Sequence, residues 1–300
     1  MNNVWFITGS SRGLGRALTE AVLAAGHRVA ATARQPEQLR DLQQQYGEQI
    51  LPLALDVNDH AQVQAAVEAA AARFGRLDVV VNNAGFGIIG AAEAFTEEQV
   101  RSQLDTNLYA PIALTRAVLP LLRRQRSGRI LQISSIGGRV GNASLSMYPA
   151  AKFGLVGFSE ALAKEVAPLG IFVTSVEPGG FRTDWAGASM SYTPSVEGYA
   201  QTVDERVDYM RSGQYVPVGD PAKAARALLA LSQHPAPPVH LVLGSEAVAL
   251  LRQAEEARQA ELEQWLPVSL STDAGDADAQ AFLRAGLGKL FSPQSAADQR

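Results

Sequence analysis

Short apolar runs alternate with longer amphipathic stretches along most of this chain. The runs are Val4–Ile7, Arg28–Ala33, Ile50–Leu55, Asp78–Val81, Ile130–Ile133, Ile171–Val176 and Val239–Leu243. Near-continuous apolar runs of this kind mark strands covered on both faces, as in parallel sheets. Between them lie helical patterns at about Leu14–Ala25, Pro36–Tyr46, Asp59–Phe74 and Met147–Ala167, with another after Thr96-Glu97-Glu98. Asp59 and Asp220 stand where an N-cap is needed, and Pro221 suits the first helical position. Pro111 removes a helical hydrogen bond, which predicts a bend around Asn107. Strand and helix in alternation predict an α/β fold, a doubly wound parallel seven-stranded sheet with helices on both faces.

Regular periodicity fades from Phe181 to Val218, where Phe181, Trp185, Tyr192, Tyr199, Tyr209 and Tyr215 accumulate. A long irregular stretch after a strand end reads as a lid over a site. Its aromatic side chains suit a bulky apolar substrate, or a lid packed on itself. Residues 1–244 are therefore expected to form one domain that includes a lid at about 181–218. Residues 245–300 are an extension: a charged helix at about Ser245–Trp265, then a polar tail, acidic and small at 272–279, with a disordered end.

Composition removes several alternatives. A net charge of −4 gives no electrostatic footprint for nucleic acid. The absence of cysteine excludes disulfides and cysteine–zinc sites, and four scattered histidines form no metal-ligand cluster. Met1-Asn2-Asn3 has no basic residue, and the apolar run after it stops at Thr8-Gly9, too short for a signal peptide or a membrane span. The expected location is cytoplasmic.

Two stretches carry chemistry. The first strand runs into Thr8-Gly9-Ser10-Ser11-Arg12-Gly13-Leu14-Gly15, which opens a helix. A glycine turn between strand and helix gathers unpaired N–H groups and the positive end of the helix dipole into an anion site. Its spacing, G-x-x-x-G-x-G, departs from the usual dinucleotide fingerprint. The same letters also spell G-x-S-x-G around Ser11, the nucleophile elbow of a serine hydrolase, which would need a later histidine such as His234 or His240. The second strand ends at Arg34, where a ribose 2′-OH is ordinarily met by a carboxylate and a 2′-phosphate by a cation. Arg34, with Arg12 as a second cation, favours NADPH over NADH. Asp56 and Val57 end the third strand, where an adenine ring would rest. Asn83, Ala84 and Gly85 after the fourth would let the backbone approach a cofactor closely.

The other stretch joins Ser135, at the end of the Ile130–Ile133 run, to Tyr148 and Lys152. On a helix Tyr148 and Lys152 lie one turn apart on one face. A neighbouring ammonium favours the phenolate and is expected to lower the tyrosine pKa from about 10. Ser135 then holds a carbonyl oxygen while Tyr148 gives it a proton. Around Asn107, a freed backbone carbonyl and the amide side chain are expected to hold a water serving Lys152.

Taken in order, these strings resemble the short-chain dehydrogenase/reductase superfamily, in its single-domain branch. The resemblance runs from Val4 to about Leu243 and rests on Thr8–Gly15, Asn82–Gly85, Asn107, Ser135, Tyr148, Lys152 and the loop Pro178, Gly179, Phe181 and Thr183. It implies hydride transfer from NADPH to a ketone, or the reverse from an alcohol, with Tyr148 as acid/base. Ser135 would hold the carbonyl, Lys152 the nicotinamide ribose, and the 178–183 loop the nicotinamide amide and phosphates. Glu177–Trp185 and the long C-terminal part are similar to 17β-hydroxysteroid dehydrogenase-like members. The resemblance further implies a small-molecule partner and a homodimer or homotetramer. A non-catalytic NADPH-binding regulator on the same fold is the rival within the family.

Overall fold

The computed structural model describes residues 2–186, 190–278 and 281. Every one of the seven apolar runs forms a strand of one parallel sheet. In chain order these are β1 (Val4–Ile7), β2 (Arg28–Ala33), β3 (Ile50–Ala54), β4 (Val79–Asn82), β6 (Gly128–Ile133), β7 (Ile171–Pro178) and β9 (His240–Leu243), ordered in space β3-β2-β1-β4-β6-β7-β9. The order reverses between β1 and β4, the crevice where open α/β sheets bind ligands. Two short strands outside this sheet, β5 (Gly87–Ile89) and β8 (Met190–Tyr192), pair with each other in parallel.

The helices are α1 (Gly13–Ala24), α2 (Arg40–Tyr46), α3 (His60–Phe74), α4 (Glu97–Leu104), α5 (Ala110–Gln125), α6 (Met147–Val166), α7 (Glu205–Arg211), α8 (Pro221–Leu231) and α9 (Ser245–Leu270). Alternation within β1 shows why the strands must be apolar throughout. Val4 and Phe6 enter a core with Val63, Val67 and Phe74 of α3 and Leu114, Val118 and Leu122 of α5. Trp5 and Ile7 enter the opposite core with Leu18 and Val22 of α1 and Leu228 of α8. Successive side chains point to opposite faces, and both faces are roofed by helices. Asp59 caps α3 by accepting from Ala61 N and Gln62 N, Asp220 caps α8 from Ala222 N and Lys223 N, and Thr96 with Gln99 closes a capping box on α4.

Several boundaries differ from expectation. Pro36–Leu39 is a tight 3₁₀ turn ahead of α2, opened by Pro36 at a first position where no backbone N–H is needed. Asp78 lies before β4, where its carboxylate accepts from Val4 N. The bend expected near Pro111 is a π turn over Asp105–Tyr109. The 181–218 stretch contains β8 and α7, which periodicity did not predict, and α9 continues past Trp265. The end of the acidic stretch at residue 279 and most of the tail lie outside the described residues. By internal packing the chain divides into Met1–Val248 and Ala249–Arg300. Among the described residues no helix is long and apolar enough to cross a membrane, and no cluster of His, Cys, Asp and Glu is suited to hold a metal.

Candidate active site

Strand β6 ends at Ile133, and Ser135 follows in extended backbone, its Oγ accepting from Gly137 N at 3.0 Å. The Gly137 backbone lies close under the Tyr148 ring, since a Cβ there would stand 3.3 Å from Tyr148 Cε1. Tyr148 and Lys152 are both buried on α6. The Tyr148 hydroxyl lies within the influence of the Ser135 side chain. Lys152 Nζ sits 5.7 Å from the Tyr148 ring centroid and donates to Ile133 O at 2.8 Å. The structure thus brings Ser135, Tyr148 and Lys152 together at the carboxyl edge of the sheet.

Their electrostatics correct the sequence expectation. Burial raises the Tyr148 pKa to about 12, with the Ser135 side chain working in the opposite sense. Burial lowers the Lys152 pKa to about 7. Desolvation disfavours the charged form of each group, and the ammonium meets the tyrosine ring and a carbonyl, not the phenolic oxygen. In the protein alone, Tyr148 is a firmly protonated donor and Lys152 a group on the edge of neutrality.

Asn107 has a structural duty of its own. It lies inside the π turn, fully buried, and its amide is already used: Nδ2 donates to Phe86 O at 2.8 Å and Oδ1 accepts from Phe86 N at 3.1 Å. The side chain holds the strand entrance at β5 with one Nδ2 hydrogen and one Oδ1 lone pair. A Cβ on Gly85 would stand 2.7 Å from Asn107 Oδ1, so that glycine leaves room for the amide.

The glycine turn has the shape of a phosphate cradle. Gly9 and Gly13 take left-handed backbone, at φ 66° and 58°. A Cβ on Gly15 would collide with Gly9 O and Asn83 Nδ2. Helix α1 opens at Arg12 with no side-chain cap, leaving its first N–H groups to a ligand. Thr8 is buried, and its hydroxyl donates to Val81 O and accepts from Asn83 N and Ala84 N, while Asn83 Nδ2 donates to Thr8 O and Gly9 O. Their side chains therefore brace two loops together. Ser10 N donates to Thr32 O at 2.9 Å, stitching the turn that carries Ser11 and Arg12 to the end of β2, beside exposed Arg34. Val57 lines a shallow crevice with Thr8, Ala84 and Thr106, while the Asp56 carboxylate accepts from Asn58 N. Across the turn, a Cβ on Gly13 would touch Thr183 Cβ at 3.5 Å, bringing the 178–183 loop to the same place. Pro178 ends β7, Gly179 is packed against Ala247, and Phe181 bridges Gly219. This cradle fits a dinucleotide.

Among the described residues no histidine makes the hydrogen bond to Ser11 that the serine hydrolase alternative requires. His27 accepts from Asn3 N, His60 stacks with Tyr109, His234 accepts from Ala236 N, and His240 lies between Glu160 and Glu177. Two site residues escaped the sequence reading. Gln103 is fully buried against the backbone of Phe86 and Ile88. Glu177, fully buried beside Pro178, pairs with Arg139 and His240. The signal for Glu177 was a carboxylate closing an apolar run; nothing local marked Gln103.

Fold and site together define an oxidoreductase of the doubly wound, nicotinamide-dependent class. The family model for short chain dehydrogenase matches residues 3–192, and the chain belongs to that family. Oxidoreductase BOA17 of Botryotinia fuckeliana is 45% identical over 91% of this chain and 100% of its own. A short-chain dehydrogenase from Streptomyces avermitilis superposes with a TM-score of 0.86 at 40% identity, covering 91% of this chain and all of the other. The 3-ketoacyl-(acyl-carrier-protein) reductase from Brucella melitensis, solved with NADH, gives a TM-score of 0.67 at 26% identity over 80% of this chain and 96% of the other.

Proposed function

We propose that this chain interconverts a bulky apolar ketone and its secondary alcohol using NADP(H), with Tyr148 as the acid/base. The observation that carries the reading is the buried Tyr148 gathered with Ser135 and Lys152 at the carboxyl edge of β6. A nicotinamide cofactor, when bound, supplies or takes the hydride. Gly9, Ser11, Gly13, Leu14 and Gly15, with the first N–H groups of α1, would hold its phosphates. Asp56, Val57, Ala84 and Gly85 would flank the adenine side, and Pro178, Gly179, Phe181 and Thr183 the nicotinamide side.

Tyr148 begins fully protonated, so donating to a carbonyl oxygen held by Ser135 is its natural direction. Its conjugate base forms in a dry site, where a Lys152 carrying its proton becomes the counter-charge. Lys152, with a pKa near 7, is suited to pass a proton on at neutral pH. Support for NADPH comes from Arg34 and Arg12, two exposed cations at the 2′ side of the cradle. Support for an apolar substrate comes from the cluster above Tyr148, built from Ile89, Leu145, Met190, Val203 and Val207.

The test is NADPH oxidation against ketones from small acetoacetyl types to steroids and aromatic diketones, with Tyr148→Phe alongside. Turnover is expected to fall by at least two orders of magnitude in the variant while NADPH still binds, given the usual size of acid–base contributions. Turnover surviving in Tyr148→Phe removes the tyrosine from the chemistry. Tight NADPH binding without turnover on any ketone would favour the regulator.

A further inference from the structure

Residues 86–90 are held on three sides at once. From behind, Gln103 Oε1 accepts from Ile88 N at 3.0 Å and its Nε2 donates to Phe86 O at 2.7 Å, while Asn107 pairs with Phe86 N and O. One helical face thus supplies by side chain the hydrogen bonds a neighbouring strand would give. On the second side, Gly90 N donates to Ser144 O at 2.8 Å, in the loop that leads into α6 and Tyr148. Ser144 takes left-handed backbone at φ 68°, a conformation that surrounding contacts must enforce. On the third side β5 pairs with β8, extended by Thr193 N donating to Ile89 O at 2.9 Å.

The close approach of the lid depends on two glycines. A Cβ on Gly87 would stand 3.1 Å from both Trp185 Cζ2 and Met190 Sδ. A Cβ on Gly90 would collide with the Thr193 side chain, 2.7 Å from Cβ and 2.8 Å from Cγ2. Gly90 itself has no left-handed backbone, so its lack of a side chain answers to packing alone. The lid so docked lays Trp185 against Tyr148, ring centroids 5.4 Å apart.

We propose that residues 86–90 form a docking rail for the lid, in which Gln103 and Gly90 are positioning residues that set how tightly substrate is retained over Tyr148. The proposal rests on the reading of Tyr148 as the site of chemistry. Gln103 keeps the rail extended, Gly90 and Gly87 let β8 settle on it, and Ile89 with the lid side chains forms the apolar wall. The phosphate cradle of the glycine turn, the main anchor proposed for the cofactor, makes none of the contacts that Gln103 and Gly90 make.

The experiment compares Gly90→Ala, Gly90→Ala/Thr193→Gly and Gln103→Met with the wild type. In Gly90→Ala the ketone KM is expected to rise about tenfold, or about 1.4 kcal/mol, with a smaller change in kcat. The NADPH dissociation constant should stay within about twofold, and tryptic cleavage at Arg206 and Arg211 of the lid should quicken. Removing the opposing side chain in the double variant should reverse both effects, and Gln103→Met should shift both readouts as Gly90→Ala does. The rail is refuted if Gly90→Ala leaves KM and cleavage unchanged, or if Thr193→Gly gives no rescue. It is equally refuted if KM, NADPH affinity and melting temperature all decline together, the mark of general destabilisation. Turnover that survives Tyr148→Phe would refute the tyrosine reading separately, since lid cleavage reports on docking without any turnover.

Discussion

Replacing Lys152 by methionine should make the cofactor-free protein more stable at neutral pH while disabling it. The ammonium is buried, and its pKa falls from 10.5 to about 7. Below about pH 7 both folded and unfolded chains carry the proton, and the folded state bears the whole cost of burying charge. Between pH 7 and 10.5 the unfolded chain stays protonated while the folded one is neutral, so stability rises with pH across that window. The span is worth about 1.4 kcal/mol per unit, or roughly 5 kcal/mol in all. Methionine removes this cost but also the donor to Ile133 O at 2.8 Å, a loss of about 1–3 kcal/mol for a buried acceptor. The variant should therefore exceed the wild type by about 2–3 kcal/mol at pH 7, and the two stability curves should cross near pH 9, where the remaining charge cost is about 2 kcal/mol. Urea unfolding of both proteins from pH 6 to 9.5, without cofactor, measures this directly. Parallel curves, with the variant less stable throughout, would show that the Lys152 ammonium is not desolvated.

Other perturbations address the cradle. Gly15→Ala should cost at least tenfold in NADPH affinity and lower the melting temperature, because its Cβ has nowhere to go between Gly9 O and Asn83 Nδ2; calorimetric titration checks the first and a thermal melt the second, and near-wild-type affinity would remove the turn from the site. Arg34→Asp should shift preference towards NADH by more than about tenfold, one charge-assisted phosphate contact turned into repulsion. An unchanged ratio of kcat/KM for the two cofactors would remove Arg34 from the 2′ side.

What the sequence determined by itself is what local chemistry writes locally. Strands buried on both faces need unbroken apolar runs, so β1, β2 and β7 were legible, and Asp59 and Asp220 announced helix starts because capping is satisfied within three residues. The i, i+4 spacing placed Tyr148 and Lys152 on one face, and Pro111 marked the irregular turn at Asn107. The tertiary structure decided what depends on distant neighbours. Whether an ammonium lowers a tyrosine pKa depends on how dry the place is and where the Nζ points; burial and the Ile133 carbonyl reversed that expectation. Pro111 drew attention to Asn107, but that its amide meets Phe86, twenty-one residues away in sequence, only folding could show. Gln103 and Gly90 carried no local signal at all, since one is a polar residue on a helix and the other a lone glycine. Their meaning comes from Ile88 and Thr193, which only folding brings against them.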